Sequence, residues 1–243
     1  MILLKKTLDY MERCNFCLTR KNNRKRQRKM IKKKGVIFDM DGVICFTDQY
    51  HYVAWKKIAD RIDVYFDESI NHRLRGVSRR DSLEIILENS NRTYSEEEKD
   101  VLLEEKNDIY QKLLKTMSPT DLSEEVKYTL KELRERGYLL GIGSSSKNTK
   151  LILHQIGLEY YFDGISDGTD IIHSKPNPEV FLIAAQKLGL ESEDCAVVED
   201  AKAGIIAAKK AGMTALALFG DAKECGQEDY NLKSFDDLLN VLE

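Results

Sequence analysis

Four short apolar runs, at 35–38, 138–142, 195–198 and 214–218, alternate with segments of helical periodicity, and this rhythm limits the fold more than any other feature of the chain. Runs of four or five residues rich in Val, Ile, Leu and Ala, too short for helices, read as buried strands. The periodic segments predict helices over 123–136, 147–156, 178–188 and 202–211, two of which stop at Gly137 and Gly212. Strands separated by helices must cross over to pair in parallel, so the expectation is an α/β fold, a doubly wound parallel sheet with a Rossmann-like core. Residues 48–118 break the rhythm: they are charged, helically periodic and without a convincing strand. They read as a small helical cap domain inserted after the first strand, leaving 35–47 and 119–243 as the core.

Charge sets the N-terminus apart. Residues 1–34 carry thirteen Lys or Arg and two acids, leaving 25 bases against 39 acids for the rest of the chain. The stretch 18–34, LTRKNNRKRQRKMIKKK, is too basic and too poor in periodic apolar residues to build a core, and residues 1–34 read as a disordered basic extension. Such a run could meet nucleic acid or an anionic surface. Met30 lies just ahead of the first strand, however, so residues 1–29 equally read as an upstream extension of the reading frame, and no nucleic-acid partner is expected.

The composition of the whole chain, 42% apolar and 33% charged, is that of a globular protein, and no apolar run approaches the ~18–20 residues of a membrane span. The apolar start, Met1 to Leu4, is too short for a secretory signal. Five scattered cysteines do not make a disulfide framework, and Cys14-x-x-Cys17 lacks two further zinc ligands. The expectation is a cytoplasmic monomer with reduced thiols.

Ligands of a doubly wound sheet sit at the carboxyl ends of its strands. There the chain places Asp39-Met40-Asp41-Gly42, Gly143-Ser144-Ser145-Ser146-Lys147-Asn148 and Glu199-Asp200, with Lys175-Pro176 ahead of the last helix before that third group. One carboxylate of the Asp39, Asp41 pair can attack phosphorus while the other exchanges protons with the leaving and entering oxygens. Asp39, Glu199 and Asp200 offer the hard oxygens that Mg²⁺ prefers. Ser144 opens a strand-to-helix turn suited to phosphate oxygens, and Lys175 adds a point charge. Singly, these are a surface D-x-D, a helix cap and a turn; their order along the chain points to phosphoryl transfer.

These four segments, F-D-M-D-G-V at 38–43, G-S-S-S-K-N at 143–148, S-K-P at 174–176 and V-E-D at 198–200, resemble the motifs of the haloacid dehalogenase superfamily over roughly residues 35–243. The resemblance implies Asp39 as nucleophile, Asp41 as general acid/base and, through its carbonyl, a metal ligand, Ser144 and Lys175 as phosphate holders, and Glu199 and Asp200 as further metal ligands. Within the superfamily the cap is similar to that of the β-phosphoglucomutases, through Thr47 to Lys56, through Arg75-Gly76-Val77-Ser78-Arg79 with Ser82, and through Lys106-Asn107-Asp108. That likeness implies a substrate site lined by Thr47, His51, Trp55, Gly76, Val77, Ser78, Arg79, Ser82, Lys106 and Asn107, together with Ser144, Ser145, Ser146, Lys147, Asn148 and Lys175. Arg79 would take the distal phosphate and His51 would assist the acid/base. One departure is Cys45-Phe46 before Thr47, where the family often carries a polar residue. On sequence alone Lys106 and Asn107 are a solvated helix face.

The implied reaction interconverts β-D-glucose 1-phosphate and glucose 6-phosphate through a phospho-aspartate, with Mg²⁺ as cofactor and β-glucose 1,6-bisphosphate as activator and intermediate. A sugar-phosphate phosphatase would use the same core. A non-catalytic receiver-like signalling domain also presents clustered acids and a Lys, but needs neither the second Asp nor the cap.

Overall fold

The computed structural model describes residues 31–74 and 77–243. Six parallel strands form one sheet in the order β3-β2-β1-β4-β5-β6. They are β1 (Gly35–Phe38), β2 (Leu139–Gly143), β3 (Gly164–Ser166), β4 (Cys195–Glu199), β5 (Thr214–Ala217) and β6 (Tyr230–Asn231). Side chains alternate across the sheet as the two-residue period requires. Val36, Phe38, Leu140, Ile142, Ala196, Val198 and Leu216 enter one buried cluster, whereas Ile37, Val197, Ala215 and Ala217 enter a second on the opposite face. Burial on both faces is why these strands read as continuous apolar runs.

The cap consists of α1 (Asp48–Arg61), α2 (Glu68–Arg73), α3 (Arg79–Leu87) and α4 (Glu96–Leu114). Its own core contains Trp55, Ile58, Phe66, Ile70, Leu83, Ile86 and Leu102. Ser95 and Glu98 close a reciprocal capping box that starts the long α4. The core helices are α5 (Glu124–Glu135), α6 (Thr149–Gln155), α7 (Glu179–Leu188), α8 (Lys202–Lys210) and the short C-terminal α9 (Leu238–Val241). Gly137 and Gly212 both have positive φ directly after α5 and α8, the conformation that ends a helix at least cost for glycine.

Residues 31–34, read from sequence as the end of the basic tail, join the core instead. Ile31 exchanges backbone hydrogen bonds with the C-terminus, through Val241 O and Glu243 N, and packs against the first apolar cluster. Lys34 N–H donates to Asp194 O and its ammonium reaches the Asp194 carboxylate at 2.8 Å. The rest of the expected extension, with Cys14 and Cys17, lies outside the described residues. Among the described residues no helix is long and apolar enough to cross a membrane.

Candidate active site

Parallel register brings the chemistry-bearing segments together. Phe38 pairs with Ile142 on one side and Val198 on the other, so Asp39, Gly143-Ser144 and Glu199 leave the sheet side by side. Asp39 N–H still donates to Val198 O, after which Met40 O accepts from Ile44 and Cys45 and turns the chain back. Lys175 enters from the loop before α7 and bridges two carboxylates, Asp39 Oδ1 at 2.5 Å and Glu199 Oε1 at 2.6 Å. All three groups are buried. Burial opposes the Lys175 charge, but the two carboxylates outweigh it and raise its pKa.

Glu199 is fully committed: Oε1 holds Lys175 and Oε2 accepts from the N–H groups of Asp200 and Ala201. Gly204 permits this, since a Cβ there would lie 1.8 Å from Glu199 Oε1. Asp200 has no such support. Burial first, then the Glu199, Asp39 and Asp41 carboxylates, push its pKa up to about 8.

A divalent cation fits this imbalance. Several carboxylates crowd one strand end, Lys175 is the cation set directly between two of them, and the hard oxygen donors are those Mg²⁺ takes. Among the described residues no three acid, His or Cys side chains form a ready metal cage. Asp39 and Asp200 are the carboxylates available to a divalent cation, with Glu199 already engaged behind them.

Asp41 faces the cap. Thr47 grips both its oxygens, the N–H donating to Oδ1 and the hydroxyl to Oδ2, each at 2.7 Å. Tyr110 donates to Thr47 Oγ1 at 2.9 Å, so every hydroxyl in this chain points its proton toward the carboxylate. The hinge therefore keeps its hydrogen bonds with Cys45-Phe46 in place, because the bonds come from Thr47 itself.

His51 Nε2 lies 3.9 Å from Asp41 Oδ2, and Lys106 Nζ and His51 Nδ1 share a hydrogen bond of 2.8 Å. Lys106 is buried rather than solvated, under the rings of Trp55 and Tyr110 at 4.9 and 4.5 Å from their centroids. Burial, reinforced by Arg79, holds its pKa well below the usual lysine value. His51 is likewise held well below its ordinary value by burial, then by Lys106 and Arg79. Arg79, the first residue of α3, lies near enough for its charge to act on both groups.

The other expected contacts have the following surroundings. Trp55 belongs to the cap core and serves as the platform for Lys106, not as an open sugar surface. Ser78 caps α3 through Asp81, and Ser82 Oγ donates to Ser78 O, so both hydroxyl protons are directed within that turn. Val77 and Lys147 are exposed, and Gly76 lies outside the described residues. In the β2–α6 turn, Ser144 is buried with its Oγ accepting from Ser146 N–H, Ser146 Oγ accepts from Asn148 N–H, and the buried Ser145 hydroxyl has no hydrogen-bond partner among the described residues.

Residues 33–212 match the family model described as haloacid dehalogenase-like hydrolase. The chain belongs to that family. It is an enzyme family, which removes the non-catalytic receiver-like reading. The chain is 43% identical over 187 residues to a β-phosphoglucomutase of Bacillus subtilis, covering 76% of this chain and 83% of that one. A fructose-1-phosphate phosphatase of Escherichia coli is 32% identical, over 75% of this chain and 94% of its own length. Among solved structures, β-phosphoglucomutase from Clostridium difficile superposes with a TM-score of 0.78 at 35% identity, covering 85% of this chain and 93% of that one.

Two residues of this site were missed from sequence. Tyr110 follows Lys106 by four positions on α4, and Gln111 follows Asn107 by the same interval, its Nε2 donating to Asn148 Oδ1 at 2.8 Å. That helical spacing was the available signal, since it sets each beside a residue already singled out.

Proposed function

We propose that the chain is a β-phosphoglucomutase, interconverting β-D-glucose 1-phosphate and glucose 6-phosphate through a phosphoryl group carried on Asp39. In this reading Asp39 attacks phosphorus as Asp41 protonates the departing sugar oxygen. Asp41 then takes the proton from the sugar hydroxyl that receives the phosphoryl group. β-Glucose 1,6-bisphosphate is the intermediate between the two transfers and primes the resting enzyme. Lys175 neutralises charge on Asp39 and the transferring group, and Ser144 with the turn after it holds phosphoryl oxygens. Arg79 suits the distal phosphate, which a guanidinium can bind through two hydrogen bonds. A Mg²⁺ ion held by Asp39, Asp200 and the Asp41 carbonyl would neutralise the phosphoryl oxygens and so let one anion approach another.

The observation that carries the mutase reading is the attachment of Asp41 to the cap. Its oxygens are held by Thr47 at the hinge, and its neighbour His51 is held by Lys106 from α4. Proton transfer is thereby tied to cap position, which suits an enzyme that must keep water from its acyl-phosphate until a sugar hydroxyl is in place.

A sugar-phosphate phosphatase is the second reading, favoured by the 32% identity to the fructose-1-phosphate phosphatase. One assay separates them: β-glucose 1-phosphate, Mg²⁺ and a trace of the bisphosphate, with glucose 6-phosphate and inorganic phosphate measured together. Isomer in large excess over phosphate is expected. Phosphate without isomer would sink the mutase reading.

A further inference from the structure

Asn148 stands at the N-terminus of α6 in the core, yet its side chain is occupied by the cap. Its Oδ1 accepts from Gln111 Nε2 at 2.8 Å and its Nδ2 donates to Asn107 Oδ1 at 3.0 Å. Asn107 and Gln111 lie one turn apart on α4 and grip the same buried carboxamide from two sides. The three amides form a ladder whose two rungs both cross from cap to core. Shortly after its last residue, Leu114, α4 returns to the core at a short helical turn, Pro119–Asp121. Rotation of the cap about this return must swing α4 against α6, and the ladder opposes that rotation.

Asn107 and Asn148 stand among the expected substrate contacts, and Gln111 does not. We infer that Gln111 is a positioning residue that sets how the phosphoryl group of Asp39 divides between sugar and water, by clamping α4 onto Asn148 and restraining the cap. The inference rests on the phospho-aspartate chemistry proposed above. Hydrolysis requires a water oxygen to bond to phosphorus while the bond from phosphorus to the Asp39 oxygen breaks. The electron pair returns to the carboxylate and the water proton passes to Asp41. Any loosening that admits water to this line speeds the step without altering a group that takes part in it. Two hydrogen bonds of ordinary strength hold the clamp, so loss of one should raise the open population by roughly two- to tenfold.

The test uses Asp39 phosphorylated by acetyl phosphate with Mg²⁺ and no sugar, following release of inorganic phosphate from the phosphoenzyme. Gln111→Leu keeps the bulk and deletes the donor, and is expected to lose phosphate about two- to tenfold faster than the parent. Gln111→Glu is expected to restore the slow rate. A carboxylate at that position accepts from Asn148 Nδ2, and the ladder re-forms once both asparagines turn their amides over. A destabilised fold would lower phosphorylation and release together and would not be rescued by Gln111→Glu. An unchanged rate in Gln111→Leu overturns the inference, as does equal acceleration in both variants, which would assign the effect to packing. Failure to phosphorylate Asp39 at all overturns it together with the proposed chemistry. Glucose 6-phosphate is assayed separately: its absence in the parent removes the mutase reading and leaves the hydrolysis comparison standing.

Discussion

Lys106 Nζ lies within hydrogen-bonding distance of His51 Nδ1, at 2.8 Å, and the other ring nitrogen, Nε2, faces Asp41 Oδ2 across 3.9 Å. A buried lysine thus fixes the direction of the imidazole beside the acid/base carboxylate. Burial and the cations Lys106 and Arg79 hold His51 well below its ordinary pKa, so it is neutral at pH 7. Lys106→Met keeps the aliphatic stem against Trp55 and Tyr110 and removes the cation. The His51 pKa should rise, read by NMR titration of the ring carbon-bound proton. With a hydrogen bond worth about 0.5–1.5 kcal/mol lost, kcat should fall by roughly two- to tenfold. An unmoved His51 titration would show that the lysine does not govern the ring.

Asp39 and Asp41 should fail differently. Asp39→Asn removes the nucleophile and is expected to abolish both isomerisation and phosphate release. Asp41→Asn removes proton transfer, typically worth about 10²–10⁴-fold, but only where the leaving oxygen needs a proton. Acetyl phosphate, whose acetate departs unaided, should still phosphorylate Asp39 in that variant while transfer to glucose phosphates is lost. Radiolabel on the Asp41→Asn protein, with isomerisation assayed in parallel, checks the split.

The sheet was legible where burial on both faces made β1, β2, β4 and β5 continuous apolar runs. The edge strands β3 and β6, three and two residues long, were not, because Gly164–Ser166 and Tyr230–Asn231 are too short to carry a period and lie among Asp, Asn and Gly. At the site, parallel register brings Asp39, Ser144, Glu199 and Asp200 to neighbouring strand ends, and Lys175 joins them from the loop before α7. The cap was harder to read. Lys106 looks like a solvated helix residue until two aromatic rings from α1 and α4 close over it, and Ser82 looks available until its hydroxyl turns back to Ser78 O. Both outcomes depend on which helix faces which, and local spacing does not encode that.

Asp200 makes metal-free stability depend on pH. Its carboxyl has a pKa of about 8 in the folded protein, against about 3.9 in an unfolded chain. Between those values the folded state retains a proton that the unfolded state has lost, so this group's contribution to stability is fullest below pH ~4 and declines as pH rises toward 8. Mg²⁺ needs the ionised carboxylate and should reverse the decline, giving a larger gain in Tm at pH 8 than at pH 5.5. Asp200→Asn should abolish both the decline due to this group and the Mg²⁺ gain. Melting curves over that pH range with EDTA or Mg²⁺ would show it, and a Mg²⁺ gain undiminished in Asp200→Asn would remove Asp200 from the metal site.

Gly204→Ala should reverse a common rule. In an exposed helix interior, alanine in place of glycine stabilises by roughly 0.8–1 kcal/mol. Gly204 lies in the first turn of α8, where an added Cβ would sit 1.8 Å from Glu199 Oε1 and 1.9 Å from its carboxyl carbon. That carboxylate is not a free end that swings aside: Lys175 holds one oxygen and two backbone N–H groups hold the other. The methyl must therefore displace either α8 or the buried Glu199–Lys175 pair, and overpacking of this kind typically costs about 1–3 kcal/mol. Denaturant melts should show a loss of that size. Because Lys175 also holds Asp39, phosphorylation by acetyl phosphate should slow in the same variant. A Gly204→Ala protein as stable and as readily phosphorylated as the parent would mean that Glu199 can move without consequence for the nucleophile.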